Sequence, residues 1–185
     1  AHTLAVLGDL LRTRSFRAFS SLALNPEFLR AAGRDAGDDW APAAVLAELD
    51  ALRDNHLPDT IDDLVGVTRR GTKVSPQTAR LIKIVVDGLD DFDRAGSAGF
   101  GDCLLRWLAF VYGHREFRSD APEDTMFSTI AGEVSAALDG LESKVARAAK
   151  IRLAPADSLE LVQHALSGIA FYRERYVDDL DLQGW

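Results

Sequence analysis

Three aspartates, Asp91, Asp93 and Asp102, bracket a glycine-bearing stretch between two strongly helical segments. A hard cation such as calcium takes roughly six to eight oxygens, which a short loop supplies from acidic residues at alternate positions. A mid-loop glycine allows the sharp turn, and an acidic residue on the next helix closes the shell. Gly96 stands at that turn and Asp102 at the closing position. The same residues also suit an ordinary connection, with aspartates ending one helix, glycines turning the chain and Asp102 capping the next. The second candidate is His114, at the edge of an apolar stripe formed by Phe100, Leu104, Trp107, Leu108 and Val111. A neutral imidazole can ligate an iron porphyrin, and the adjoining stripe can line a pocket for it or for another apolar ligand. A histidine at a helix end also serves by hydrogen bonding to backbone or by favouring the negative end of the helix.

Asp91, Asp93, Gly96 and Asp102 match the first, third, sixth and last positions of an EF-hand loop, and the segment resembles a degenerate member of that family. Ala95 stands at the fifth position, and Asp102 is shorter than the usual closing Glu. The resemblance implies calcium held by Asp91, Asp93 and Asp102. A second frame beginning at Asp93 places Ser97 and Phe100 well but loses the turn glycine and the closing acid. The run Phe92-Asp93, then Ala98 and Phe100, is similar to EF-hand pairs of the dystrophin type. That likeness implies a helical platform for a partner, without calcium. Around His114, the order of apolar helix, His, short turn, Pro122-Glu123 and long amphipathic helix looks like the proximal half of a globin. Residues 16–32, with Asn25-Pro26-Glu27, are similar to a globin's second helix and the turn after it. This likeness implies a haem-ligating role for His114, although Ala31 and Ala32 stand where a globin has its corner Phe.

Other chemistry is thinly supported. Cys103 is the only cysteine, so it makes neither an internal disulfide nor a thiolate zinc cage. Glu160 and His164 are four residues apart and read as an exposed helical pair. His56 reads as a loop residue beside Asp54 and Asp59. The sequence contains no zinc-protease helix motif, no phosphate-cradling glycine loop and no nucleophile elbow. Two basic clusters, Arg12, Arg14 and Arg17, and Arg69, Arg70 and Lys73, read as surface charge near compensating aspartates.

The elements that must position these groups are helices. Ser75 and Pro76 open a segment in which Leu81, Val85, Leu89 and Phe92 share a stripe, broadened by Ile82, Ile84 and Val86. So broad a stripe predicts a central helix over 75–94. The next helix spans 100–112. Pro122 opens a long one in which Phe127, Ile130, Val134, Leu138, Leu141, Val145 and Ala148 repeat at spacings of three and four. That seam predicts packing on the last helix, over 155–180, whose buried side is Leu159, Val162, Leu166, Ile169, Tyr176 and Val177. Otherwise the seam joins two copies of the chain.

Upstream, Leu4, Leu7, Leu10 and Leu11 mark one short helix, and Phe16, Phe19 and Leu22 mark a second or its continuation. Asn25-Pro26 opens another, Trp40 and Pro42 lead into one ending near Asn55, and Ile61, Leu64 and Val65 form one more. Residues 33–39 form the most polar loop and the best candidate for mobility. The expectation is an all-α, single compact bundle of about seven or eight helices over residues 1–185.

Composition agrees with a folded domain of 185 residues, 47% hydrophobic and 27% charged. Aspartate makes up 21 of the 29 acidic residues, which favours caps and loops over helix interiors. A net charge of -8 argues against nucleic acid as a partner. No run is long enough to cross a membrane, and residues 1–11 lack the cationic start of a signal peptide. With one cysteine, a reduced, cytoplasmic setting is expected. No cofactor is required by any motif. The functional expectation is a non-enzymatic, helical protein-interaction or regulatory domain acting on a protein partner. The alternative is a ligand-binding helical sensor, through His114 or through the loop at residues 91–102.

Overall fold

Five of the six prolines open helices, because a first-turn residue needs no backbone donor and proline's fixed φ is already helical. A computed structural model describes residues 2–34, 36, 40–114, 118, 120–147 and 153–167. Among them the helices are α1 (His2–Thr13), α2 (Phe16–Ala23), α3 (Pro26–Gly33), α4 (Pro42–His56) and α5 (Ile61–Arg69). They continue as α6 (Pro76–Ala95), α7 (Phe100–Tyr112), α8 (Pro122–Arg147) and α9 (Pro155–Ser167). The fold is all-α, as the periodicity requires.

The helix count among the described residues is nine, above the expected seven or eight. The extra boundary is at Arg14, whose φ of 47° breaks α1 from α2. Ser15 then caps α2 by accepting from the Ala18 amide at 3.2 Å. Around this break the Phe16 amide donates to the Asp59 carbonyl and the Ile61 amide to the Arg14 carbonyl, both at 2.9 Å. Ser15 and Thr60, the caps of α2 and α5, are thereby paired side by side. Thr60 and Asp63 complete a capping box, and the hydrogen bonds from Thr60 hold the Asp63 carboxyl below its usual range.

Two apolar clusters form the interior. The first joins α1 to α6 through Val6, Leu10, Phe19, Phe28, Leu49, Leu64 and Leu81, with Val111 of α7. The second joins Leu4 and Leu7 of α1 to Phe92, Phe100, Leu104, Val134, Leu138, Leu159 and Val162. Leu11 and Trp107 pack against both. α1 therefore lies between the clusters, and it contacts α2 on one side and α9 on the other. The seam of α8 packs inside the chain, with Val134 and Leu138 buried in the same cluster as Leu159 and Val162 of α9.

The side chains of Leu141 and Val145, with Ala148, Ile169, Tyr176 and Val177, lie outside the described residues. So do 35 and 37–39 of the expected loop. No helix among the described residues is long and apolar enough to cross a membrane.

The central helix α6 is fixed at its start by more than its own cap. Ser75 accepts from the Thr78 amide at 3.2 Å, while its own amide donates to Glu48 Oε1 of α4 at 2.8 Å. Its hydroxyl donates to Glu48 Oε2 at 2.6 Å, and the fully buried Thr78 hydroxyl donates to the same oxygen. A carboxylate is thus held where the positive end of a helix dipole favours it.

Candidate functional site

His114 lies just past α7, where the chain turns at Gly113. A Cβ on Gly113 would meet the Ala109 carbonyl oxygen at 2.4 Å, so only glycine fits this close turn. The turn swings the imidazole onto α3, where Glu27, Arg30 and Arg34 share one face at spacings of three and four. Nε2 lies 3.2 Å from Glu27 Oε2, and Nδ1 lies 3.3 Å from Arg34 Nη2. A guanidinium only donates, so Nδ1 accepts and Nε2 carries the hydrogen that Glu27 receives. Arg34 also donates to the Phe110 carbonyl at 3.0 Å, and Arg30 to Glu27 Oε2 at 2.9 Å. The ring side chain is 15% exposed. Both nitrogens are therefore engaged, and iron ligation would require one of these contacts to break.

A second chain of hydrogen bonds ties the same corner to α1. The Thr3 and Tyr112 hydroxyls are 2.6 Å apart, and Asn25 Nδ2 donates to Thr3 Oγ1 at 3.0 Å. Asn25 Oδ1 meanwhile caps α3 by accepting from the amides of Glu27 and Phe28. Beneath these groups Phe28 stacks on Trp107 at 6.3 Å and 18°, and meets Phe110 edge-on at 6.2 Å and 70°. The arrangement orients helices and holds both imidazole nitrogens in hydrogen bonds. Replacing His114 with alanine is expected to lower the unfolding free energy by about 1–2 kcal/mol, read by urea denaturation. The Glu27→Gln, His114→Ala double variant should lose less than the two single losses combined, because the residues share one hydrogen bond.

The three aspartates do not converge. α6 continues to Ala95, so Asp91 and Asp93 are helical residues two positions apart and face different directions. Asp91 pairs with Arg94 at 2.9 Å, and Asp93 pairs with Arg14 across the α1–α2 break. Asp102 stands exposed in the first turn of α7, capped upstream by Gly99 without a side-chain bond. Among the described residues no group of three His, Cys, Asp or Glu is placed to hold a metal ion. Cys103 is buried in the second cluster, and burial pushes its thiol up, away from the reactive thiolate. Glu160 and His164 are both exposed, and Glu160 pairs with Arg12 of α1 at 2.8 Å.

The feature that sequence reasoning missed is a recess of about 200 Å³ between α5 and α6. Val65, Val74, Ala79, Ile82 and Val86 line it, with Thr68, Arg69, Lys83 and Asp87 around them. Its signal was present in the breadth of the α6 stripe: Val86 lies off the buried line and remains half-buried. The basic residues Arg69, Arg70 and Lys73 follow at the α5–α6 turn, all exposed.

Compared with known proteins, the chain matches no family model, and no curated protein or solved structure is significantly similar to it. The globin and EF-hand likenesses therefore stand on the quoted residues alone.

Proposed function

We propose that this chain is a non-enzymatic helical interaction or regulatory domain, which takes a segment of a protein partner on its α5–α6 face. The observation that carries this reading is the apolar recess between those helices, left open beside an exposed basic turn. Elsewhere, three of the polar side chains that sequence reading singled out are engaged within the fold: His114 with Glu27 and Arg34, Asp91 with Arg94, Asp93 with Arg14. An open apolar recess with a polar rim is the anatomy of a protein contact, with a water-excluding centre and a charged edge.

A photoreactive benzoylphenylalanine at Ala79, exposed beside the recess, tests the reading in the cell that makes the protein. The expected result is a discrete adduct from Ala79 and none from the exposed Thr129 of α8. The adduct should also disappear with Val86→Glu, which sets a charge into the recess. Adducts from neither position, or equally from both, would overturn the assignment.

A further inference from the structure

The α5–α6 recess has one sign of charge where α5 turns into α6. Arg69 lines it and Lys73 stands on the turn into α6, while the Arg70 guanidinium lies back over Gly66 toward Asp63. Among the described residues neither Arg69 nor Lys73 forms an ion pair. The remaining charges at the rim cancel, since Lys83 and Asp87 pair at 2.7 Å. Asp63, in the first turn of α5, is held by Thr60 and also feels the Arg70 guanidinium, which lies back along the helix over Gly66. Against a chain of net charge -8, two cations without an ion pair beside an apolar cleft are a local departure.

The volume narrows the occupant. About 200 Å³ is below the roughly 300–1,000 Å³ of small-molecule sites, and suits one or two aliphatic side chains. Residues three or four apart on a helix present such a pair from one face. Nucleic acid would meet the cations but leave Val65, Val74 and Val86 uncovered. A basic helix would set its charges against Arg69 and Lys73.

We propose that the recess binds an acidic amphipathic helix of a protein partner. Its aliphatic side chains at i and i+3 or i+4 enter between α5 and α6, and its carboxylates lie over Arg69 and Lys73. This rests on the reading of the chain as an interaction domain and supplies the chemistry of its partner.

The probe is a labelled synthetic helix of leucine and glutamate, with leucines on one face, followed by fluorescence anisotropy against the whole chain. Its counterpart carries lysine at every glutamate. The glutamate peptide is expected to bind in the micromolar range and the lysine peptide at least about tenfold more weakly. Raising salt from about 0.1 M to about 1 M, which shrinks the Debye length from about 10 Å to about 3 Å, should weaken the first several-fold. Two variants divide the contributions: Arg69→Glu with Lys73→Glu reverses the exposed charge, and Val86→Gln sets a polar amide into the apolar cleft. Each should weaken binding about tenfold while leaving helical dichroism unchanged.

Equal binding of both peptides, or binding indifferent to both variants, overturns the proposal. So does preference for a single-stranded oligonucleotide over the glutamate peptide. If Ala79 adducts form but the glutamate peptide does not bind, the interaction domain stands and the acidic occupant falls. If neither occurs, both fall.

Discussion

Phe28→Ala is expected to lower the unfolding free energy by about 3–5 kcal/mol, a large share of the total for a domain of this size. Phe28 is fully buried, and its ring is held between Trp107 and Phe110 of α7. Removing it deletes apolar burial and leaves a cavity that two rigid aromatic neighbours cannot easily refill. The loss also reaches the polar corner above, because Phe28 follows Glu27 and its amide is one of the two that Asn25 caps. Urea unfolding should therefore show a lower midpoint with little change in slope. Phe28→Leu keeps most of the apolar volume and should cost less than half as much. Indifference to the alanine substitution, with a loss under about 1 kcal/mol, would mean that α3 and α7 do not pack through this ring.

Much of the fold was readable because its boundaries are written in local chemistry. Pro26, Pro42, Pro76, Pro122 and Pro155 mark helix starts, and Asn25 and Ser75 supply caps immediately before two of them. The stripe of Leu81, Val85, Leu89 and Phe92 is buried as the spacing requires. The α1–α2 break was harder, because Arg14 takes a positive φ without being glycine or asparagine. It is held there by backbone hydrogen bonds to residues 59 and 61, which no local pattern reports.

The same limit governs the candidate sites. His114 was legible as a residue at a helix end, but Glu27 and Arg34 lie 87 and 80 positions away in the chain. Asp91 and Asp93 fall where the helix expected over 75–94 overlaps the candidate cation loop at 91–102, and three aspartates in four positions suit a loop better than a helix interior. Phe92 between them outweighs that local preference. It is buried against Phe100 at 5.6 Å, and burying that ring carries α6 on to Ala95 with the aspartates outside. The recess between α5 and α6 depends on the angle between two helices, which residue types alone leave open. What the sequence did carry was an excess of apolar residues on α6, more than one buried face could use.

Glu48→Ala is expected to cost about 2–3 kcal/mol near neutral pH, although Glu48 is only half-buried. Three donors lose their acceptor at once: the Ser75 amide, the Ser75 hydroxyl and the fully buried Thr78 hydroxyl. The buried Thr78 hydroxyl keeps only the Ser75 hydroxyl, 3.1 Å away and itself deprived of Glu48, so the penalty falls on a buried polar pair. The pH dependence separates charge from shape. Burial by itself raises the Glu48 carboxyl, but the hydrogen bonds from Ser75 and Thr78 outweigh it and hold the group below its ordinary value of 4.5. The folded state thus releases this proton more readily than the unfolded chain. Its contribution is complete above the ordinary value and fades as pH falls through the lower folded value. The gap in stability between the wild type and Glu48→Gln should therefore be full at neutral pH and close on acidification below 4.5. A gap that stays constant into acid would show that Glu48 acts by size and not by its charge. In that case the start of α6 is positioned by packing on α4 alone, and the Ser75 cap needs no anion beside it.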